Sequence, residues 1–138
     1  MDPIEWQDRA DIDFMLDDTH TWAVVGLRDD PTRAAYAVAA TLQAHGKRIV
    51  PVHPRAETVH GEQGYPTLAD VPFPVDVVDV FVNSNRAGEV ADQAVEVGAA
   101  GVWFQLGVLD QDAWRRTTGA GLRMVMDTCP AIEWGRRG

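Results

Sequence analysis

The chain has 138 residues, and its 12 lysine and arginine residues stand against 21 aspartate and glutamate residues, giving a formal net charge of −9. This length fits one globular domain, and the charge disfavours nucleic acid and anionic membrane surfaces as partners. The first ten residues lack the pattern of a signal peptide, and no apolar run reaches the roughly 18 residues that span a bilayer. A single cysteine excludes an internal disulfide framework. We therefore expect a cytoplasmic protein.

The first 20 residues are acidic and are predicted to form a helical extension of a domain that covers residues 21–138. Ile12, Met15 and Leu16 lie at helical spacing within this segment. A short N-terminal helix that packs on the rest of the domain is therefore expected.

The segment Thr21–Ala44 reads as a strand, a loop and a helix. A continuous apolar run that is too short for a helix predicts a buried parallel strand, and Gly26 follows it where the backbone turns. Asp30 is predicted to cap the next helix, with Pro31 at its first position. Gly46 is expected to end that helix. Such a unit places free backbone N–H groups at the carboxyl edge of a sheet, where phosphates bind in open α/β folds.

The same alternation continues to the end of the chain. Further strands are predicted at Arg48–His53, where Pro51 predicts a local irregularity, and at Val75–Val82, Gly101–Leu106 and 122–127. A helix is predicted behind the polar capping types Asn83, Ser84 and Asn85, and another after Asp110, with a helical turn at Thr67–Asp70.

This order of elements predicts the fold class. Strands that alternate with helices form a doubly wound, parallel five-stranded sheet in a three-layer α/β/α domain. The fold is therefore predicted to be Rossmann-like and a single domain, with a binding crevice at the carboxyl ends of the strands.

Four arginines fall on the loops that should converge on this crevice. They are Arg28, Arg33, Arg55 and Arg86. In an acidic chain this arrangement indicates an anion site, whereas the alternative is that they are solvated arginines that balance nearby carboxylates.

The nucleotide fingerprint is incomplete, because only Gly26 fits the glycine pattern of a dinucleotide site. After the second strand, His53, Pro54 and Arg55 stand where an NAD enzyme has an acidic residue. Basic character there favours a phosphorylated ribose, which both NADP and coenzyme A carry. The residues alone leave both ligands open.

Other chemistry is weakly supported. The four histidines have no spacing that brings two onto one helix face, so no metal site is predicted. Asp76 and Asp79 are interpreted as hydrogen-bonding or boundary residues rather than catalysts. Cys129 is either a small buried residue or a thiol near the ligand.

Several stretches together resemble a known family. They are GLRDDPTRAAYAVAATLQAHGKRIVPVHP, YPTLADVPFPVDVVDVF, VWFQLGV and MDTCPAIE. They resemble the small stand-alone coenzyme A-binding proteins, which are similar to the N-terminal nucleotide-binding domain of the succinyl-CoA ligase alpha subunit. The resemblance implies a Rossmann-like fold with coenzyme A as the ligand.

The resemblance also implies which residues line the ligand path. The first loop would hold the pyrophosphate, the turn after the second strand would meet the adenosine 3′-phosphate, and later strand ends would line the nucleotide and pantetheine. The implied binding residues are Gly26, Arg28, Asp29, Asp30, Pro31, Arg33, His53, Pro54, Arg55, Val82, Asn83, Arg86, Phe104, Gln105, Leu106, Gly107 and Cys129. Should Cys129 lie beside the pantetheine end, oxidised coenzyme A would form a mixed disulfide with it.

The function implied by the resemblance is non-covalent binding of coenzyme A or an acyl derivative, without catalysis, because the ligase relatives need a further domain with a phosphorylated histidine. No catalytic residue is predicted, and the oligomeric state stays open. One alternative is a small NADP-dependent reductase, although no tyrosine–lysine pair supports it. Another is a regulatory interaction module that no longer binds a ligand.

Overall fold

The computed structural model describes residues 4–137 and contains five strands and five α-helices in that range. The strands are β1 (Thr21–Val25), β2 (Arg48–Val52), β3 (Val77–Val80), β4 (Gly101–Phe104) and β5 (Arg123–Val125). The helices are α1 (Arg9–Asp17), α2 (Ala34–Ala44), α3 (Ser84–Glu96), α4 (Gln111–Gly119) and α5 (Pro130–Arg136). Two short 3₁₀ helices occupy Glu5–Gln7 and Leu68–Asp70.

All neighbouring strands are parallel, in the order β2-β1-β3-β4-β5. The predicted α/β class, the five-stranded parallel sheet and the Rossmann-like architecture are thereby confirmed. Because β1 and β3 are neighbours while β2 lies on the far side of β1, the chain reverses direction across the sheet at β1. Open α/β folds bind their ligands in the crevice at such a switch point.

Two apolar layers hold helices on the two faces of the sheet. One layer joins α1 and α2 to the sheet through residues such as Met15, Leu42, Trp22 and Trp103, all of them buried. The other joins α3 and α4 to residues of the opposite face. Trp22 and Trp103 are fully buried core residues.

Strands β3, β4 and β5 are shorter than predicted. The ladder continues past two of them, because the N–H of Phe81 donates to the carbonyl of Val25 and that of Gln105 to the carbonyl of Val80. The chain then leaves the sheet to begin the following loop. Apolar composition extends through these flanking residues, so composition alone placed the ends too far out.

Pro51 lies in a regular strand rather than at an irregularity. Strand β2 is at the edge of the sheet, and the carbonyl of Pro51 faces outward, where it accepts from the N–H of Tyr65 at 2.9 Å. Since the N–H and carbonyl of one residue of a parallel strand point to the same side, the donor that proline lacks would also have faced outward. Proline at this edge position therefore leaves the ladder with β1 intact.

The predicted start of α2 was wrong. Asp30 Oδ1 accepts from the N–H of Thr32 at 3.0 Å and from its hydroxyl at 2.7 Å, which closes a local turn. Pro31 lies within this turn, and the helix begins three residues later with Arg33 as its cap. An aspartate bonded two residues along the chain satisfies its carboxylate locally and so competes with capping a helix.

The N-terminal helix was predicted and α5 was not. Ile12, Met15 and Leu16 are buried as their spacing predicted. Helix α5 begins at Pro130, and a proline at the first helical position is the signal that could have indicated it. The two helices are joined by Arg9, whose guanidinium donates to the buried Glu133 carboxylate at 3.1 Å. No helix within residues 4–137 has the length and apolar character needed to cross a membrane.

Candidate ligand-binding site

A cleft of about 620 Å³ opens at the carboxyl ends of β1, β2 and β3. Its lining comes from the ends of these strands, the start of α2, one side of α3 and the segment before the second 3₁₀ helix. The lining residues are Val25, Gly26, Arg28, Arg33, Ala34, Ala35, Val52, His53, Pro54, Pro66, Thr67, Leu68, Phe81, Val82, Arg86, Glu89, Val90 and Gln93. This volume lies within the range typical of small-molecule sites.

Gly26 places the first loop against the neighbouring strands. Its N–H donates to the carbonyl of Val52 at 2.8 Å, and its φ of +100° is a conformation that side-chain-bearing residues rarely adopt. A Cβ at this position would lie 3.3 Å from the Cβ of Phe81. The loop can therefore turn tightly here, so that the backbone after β1 borders the cleft.

The start of α2 gives the cleft a set of backbone donors. Ala34 and Ala35 line the cleft and are the first two residues of the helix. The cap residue Arg33 has no side-chain acceptor that satisfies them. The first N–H groups of a helix lack an intrahelical partner and carry partial positive charge, so they favour an anion.

Three arginines line the cleft, and they come from two elements. Arg28 and Arg33 come from the loop after β1 and Arg86 from α3. Arg28 Nε lies 3.4 Å from the carboxylate of Glu57, which also accepts from the N–H of Asp29 at 3.4 Å. In this state Glu57 therefore occupies part of the donor set that an anionic ligand would use.

The turn after β2 brings His53 and Pro54 to the cleft, while Arg55 is exposed and lies outside its lining. Nδ1 of His53 accepts from the N–H of Arg55 at 3.1 Å. Partial burial lowers the pKa of His53, and the positive charge of Arg28 lowers it further.

The wall formed by α3 was largely missed by the sequence reasoning. Arg86, Glu89, Val90 and Gln93 all line the cleft. Their positions follow the spacing i, i+3, i+4 and i+7, which defines one face of a helix. That spacing, extended from the predicted Arg86, is the signal that could have found the other three.

Ten residues implied by the resemblance do not line this cleft. They are Asp29, Asp30, Pro31, Arg55, Asn83, Phe104, Gln105, Leu106, Gly107 and Cys129. Phe104 is buried in the core beneath α3 and α4, whereas 64% of the surface of Leu106 is exposed. Gly107 donates its N–H to Asp127 Oδ1 at 2.7 Å. The end of β4 therefore forms a separate part of the same sheet edge.

Asp79 is the least expected titratable group. Its side chain is fully buried between the strand neighbours Val24 and Trp103, and Gln105 Nε2 donates to its Oδ1 at 2.6 Å. Its Oδ2 has no hydrogen-bond partner among residues 4–137. Burial raises the pKa of Asp79 to about 8, so the carboxyl is mostly neutral at pH 7. This agrees with its interpretation as a hydrogen-bonding residue within the strand.

Cys129 is predicted to react slowly with oxidised coenzyme A. The thiol is partly buried at the start of α5, and burial raises its pKa, which lowers the thiolate fraction at pH 7. Disulfide exchange requires the thiolate and access to it. We expect the mixed disulfide to form more slowly in the native protein than in urea-unfolded protein, measured by intact mass over time. Equal rates in the two states would contradict this.

Within residues 4–137, no group of three or more His, Cys, Asp or Glu side chains is placed to hold a metal ion.

Comparison with known proteins identifies the family of this chain. The profile of the CoA binding domain family matches residues 20–135. Uncharacterized protein YneT of Bacillus subtilis (strain 168) is 31% identical over 121 residues, which cover 88% of this chain and 90% of YneT. The solved structure of a hypothetical protein from Pyrococcus horikoshii OT3 superposes with a TM-score of 0.90 at 34% identity, covering 99% of this chain and 96% of that one.

A ligase subunit shows more distant similarity. The alpha subunit of ADP-forming acetate–CoA ligase II from Pyrococcus furiosus is 30% identical over 81 residues. The match covers 58% of this chain and 18% of that subunit, so the activity of the whole ligase is not carried over. The resemblance to coenzyme A-binding domains is confirmed: this chain belongs to the CoA binding domain family.

Proposed function

We propose that this protein binds coenzyme A, or an acyl derivative of it, non-covalently in the cleft at the carboxyl ends of β1, β2 and β3. Binding alone, without a catalysed reaction, is proposed as its activity. Membership of the CoA binding domain family supports the choice of ligand.

The observation that carries the proposal is the concentration of positive charge in one cleft of an acidic protein. The net charge is −9, yet Arg28, Arg33 and Arg86 line the same cleft. Coenzyme A carries a pyrophosphate and a 3′-phosphate, and guanidinium groups bind phosphates through charge-assisted hydrogen bonds. The arginines offset the repulsion that the rest of the protein exerts on such a ligand.

The backbone also offers hydrogen-bond donors to an anionic ligand. The tight turn at Gly26 and the first N–H groups of α2 border the cleft beside Arg28. Backbone donors at a helix start bind phosphate without the loss of side-chain entropy. The remaining lining includes apolar side chains such as Leu68 and Val90, which can cover the uncharged parts of a nucleotide.

Thermal unfolding with coenzyme A, NADP and NAD at equal concentration tests this proposal. A ligand that binds only the folded state stabilises it by about 2.7 kcal/mol at one hundred times its Kd. For a domain of this size we expect coenzyme A to raise Tm by roughly 10 °C under that condition. A shift with NADP alone would instead support a reductase, and no shift with any of the three would favour an interaction module.

Catalysis is tested separately from binding. The protein is incubated with coenzyme A, acetate and ATP, and the free thiol of coenzyme A is titrated over time. A binder leaves the thiol concentration at the level of the protein-free control. Consumption of the thiol in proportion to protein concentration would overturn the proposal that the protein only binds.

A further inference from the structure

His53 borders the cleft, and its ring accepts a hydrogen bond from the backbone of the same turn. Its ring nitrogen Nδ1 lies 3.1 Å from the backbone nitrogen of Arg55, and that nitrogen bears a hydrogen. Because a backbone N–H can only donate, Nδ1 must accept and carries no proton. The neutral ring therefore carries its single proton on Nε2.

A second proton would have to bind at Nδ1. An N–H at that atom would point at the N–H of Arg55, so the hydrogen bond between them would be lost. The same turn is also closed by the N–H of Ala56, which donates to the carbonyl of His53 at 2.8 Å. Protonation of His53 therefore has a local cost, but the turn keeps one of its two hydrogen bonds.

The charges around His53 also oppose protonation in the free protein. Arg28 and Arg33 approach from the loop after β1, and Arg55 from the turn of His53 itself, while Glu57 acts in the other direction. Asp30 offsets part of the charge of Arg33, since its carboxylate lies 3.6 Å from Arg33 Nε. Across the cleft, α3 contributes one charge of each sign, Arg86 and Glu89. The excess of positive charge disfavours a further positive charge on the ring.

An anionic ligand reverses this balance. A phosphate group that neutralises the arginines removes the repulsion they exert on His53 and adds an attraction to the imidazolium. A hydrogen bond to a charged partner contributes about 1.5–3 kcal/mol, whereas a typical neutral one contributes about 1 kcal/mol. The bond to Arg55 is lost on protonation with or without a ligand, so it does not alter the comparison, and the pKa of His53 is higher in the complex than in the free protein.

We propose that His53 takes up a proton when a phosphate group of the ligand binds in the cleft, so that ligand affinity rises as the pH falls. This inference rests on the proposed function, because it requires a phosphate-bearing ligand in this cleft. It makes His53 a specificity-determining residue that responds to pH. The neutral ring offers one N–H donor and no charge, whereas the imidazolium offers two N–H donors and a positive charge.

The direction of the effect follows from linkage. If the bound state holds more protons than the free state, affinity increases with falling pH throughout the range in which the two states differ. Lowering the pH from 7.5 to 5.5 should increase the affinity of the wild type for coenzyme A. We expect this increase to be about five- to tenfold larger than the increase for a variant with an uncharged side chain at this position.

His53→Asn is the informative variant. Its side-chain oxygen can accept from the N–H of Arg55 and its amide can donate, but it cannot take up a proton between pH 5 and 8. His20→Asn is the matched control, because His20 is exposed and precedes β1 at the opposite end of the strand.

The experiment is titration calorimetry with coenzyme A from pH 5.5 to 7.5, in pairs of buffers with different ionisation enthalpies. The dependence of heat on buffer gives the number of protons taken up. The phosphate monoester of coenzyme A itself titrates near pH 6, so the comparison is the difference between wild type and His53→Asn. Proton magnetic resonance of the His53 ring, with and without coenzyme A, gives a readout that needs no variant.

We expect greater proton uptake in the wild type and in His20→Asn than in His53→Asn, and a ring titration that moves to higher pH when coenzyme A binds. Equal proton uptake and an unmoved ring titration, with coenzyme A bound in both proteins, would overturn the role of His53 and leave the proposed function standing. Absence of coenzyme A binding by the wild type at every pH would instead overturn the proposed function and this inference together. Dephospho-coenzyme A lacks the 3′-phosphate and keeps the pyrophosphate. If proton uptake persists with this ligand, the pyrophosphate is the group that causes it, and the proposal is equally supported.

Discussion

Asp79→Asn should gain stability relative to the wild type as the pH rises, by about 4 kcal/mol in the free energy of unfolding between pH 4 and pH 7. In the native protein Asp79 is fully buried, and burial raises its pKa to about 8. In the unfolded chain an aspartate has a pKa of about 3.9. Between these values the native state holds a proton that the unfolded state has released.

The sign of the effect follows from that difference in proton binding. Stability falls with rising pH wherever the native state binds more protons than the unfolded state. Each pH unit from about 4 to 8 then costs the wild type roughly 1.4 kcal/mol, or about 4 kcal/mol between pH 4 and pH 7. Asparagine has nearly the same shape and does not titrate, so the variant avoids this cost.

Urea unfolding at several pH values between 4 and 8 measures the effect. The expected result is a difference between Asp79→Asn and wild type that increases steadily over this range. Asp112→Asn is the control, because the side chain of Asp112 is 83% exposed and pairs with Arg115 on the surface. A difference that stays constant with pH would show that Asp79 is charged in the native state.

Arg28→Gln should weaken the binding of coenzyme A by about ten- to a hundredfold. Hydrogen bonds to charged groups contribute about 1.5–3 kcal/mol, and the substitution removes a guanidinium from the cleft next to the turn at Gly26. It also leaves the carboxylate of Glu57, now 3.4 Å from Arg28 Nε, without a positively charged partner. That negative charge then repels the phosphates of the ligand. Titration calorimetry at low salt measures the change.

Three further variants place this effect in the cleft. Glu57→Gln should bind coenzyme A a few-fold more tightly, because Arg28 and the N–H of Asp29 no longer share a negative partner. Arg115→Gln, on the exposed surface of α4, should bind as the wild type does. Arg55→Ala tests whether Arg55, which lies outside the lining of the cleft, contacts the adenosine 3′-phosphate as the resemblance implies. Equal affinity for Arg28→Gln and Arg115→Gln would contradict a role for Arg28 in the site.

Local patterns in the sequence predicted the elements that depend on local physics. The spacing of Ile12, Met15 and Leu16 predicted α1, and Asp110 capped α4 as expected, with its side chain accepting from the N–H of Ala113 at 3.0 Å. One prediction from local sequence patterns was wrong, because two local structures compete for the same residue type. Asp30 satisfies its carboxylate within a turn, and this alternative to a cap has the same residue preference in the sequence.

The candidate site could be predicted only in part, because a cleft is formed by residues that are distant in the chain. Gly26, Arg28 and His53 followed from strand ends that converge at one edge of the sheet. Glu89 and Gln93 did not, since which face of α3 borders the cleft depends on how the helix packs. The pairing of Arg28 with Glu57 is likewise a tertiary contact, 29 residues apart in sequence.

The sequence by itself determined the alternation of strands and helices, the parallel five-stranded sheet and, through its motifs, the family. These features arise from hydrophobic periodicity, turn chemistry and the handedness of crossovers, all of which act over short stretches of chain. The tertiary structure alone decided the edge position of Pro51, the buried neutral carboxyl of Asp79 and the charges that surround His53. Burial and electrostatic interaction depend on distances between residues that only the packed fold brings together.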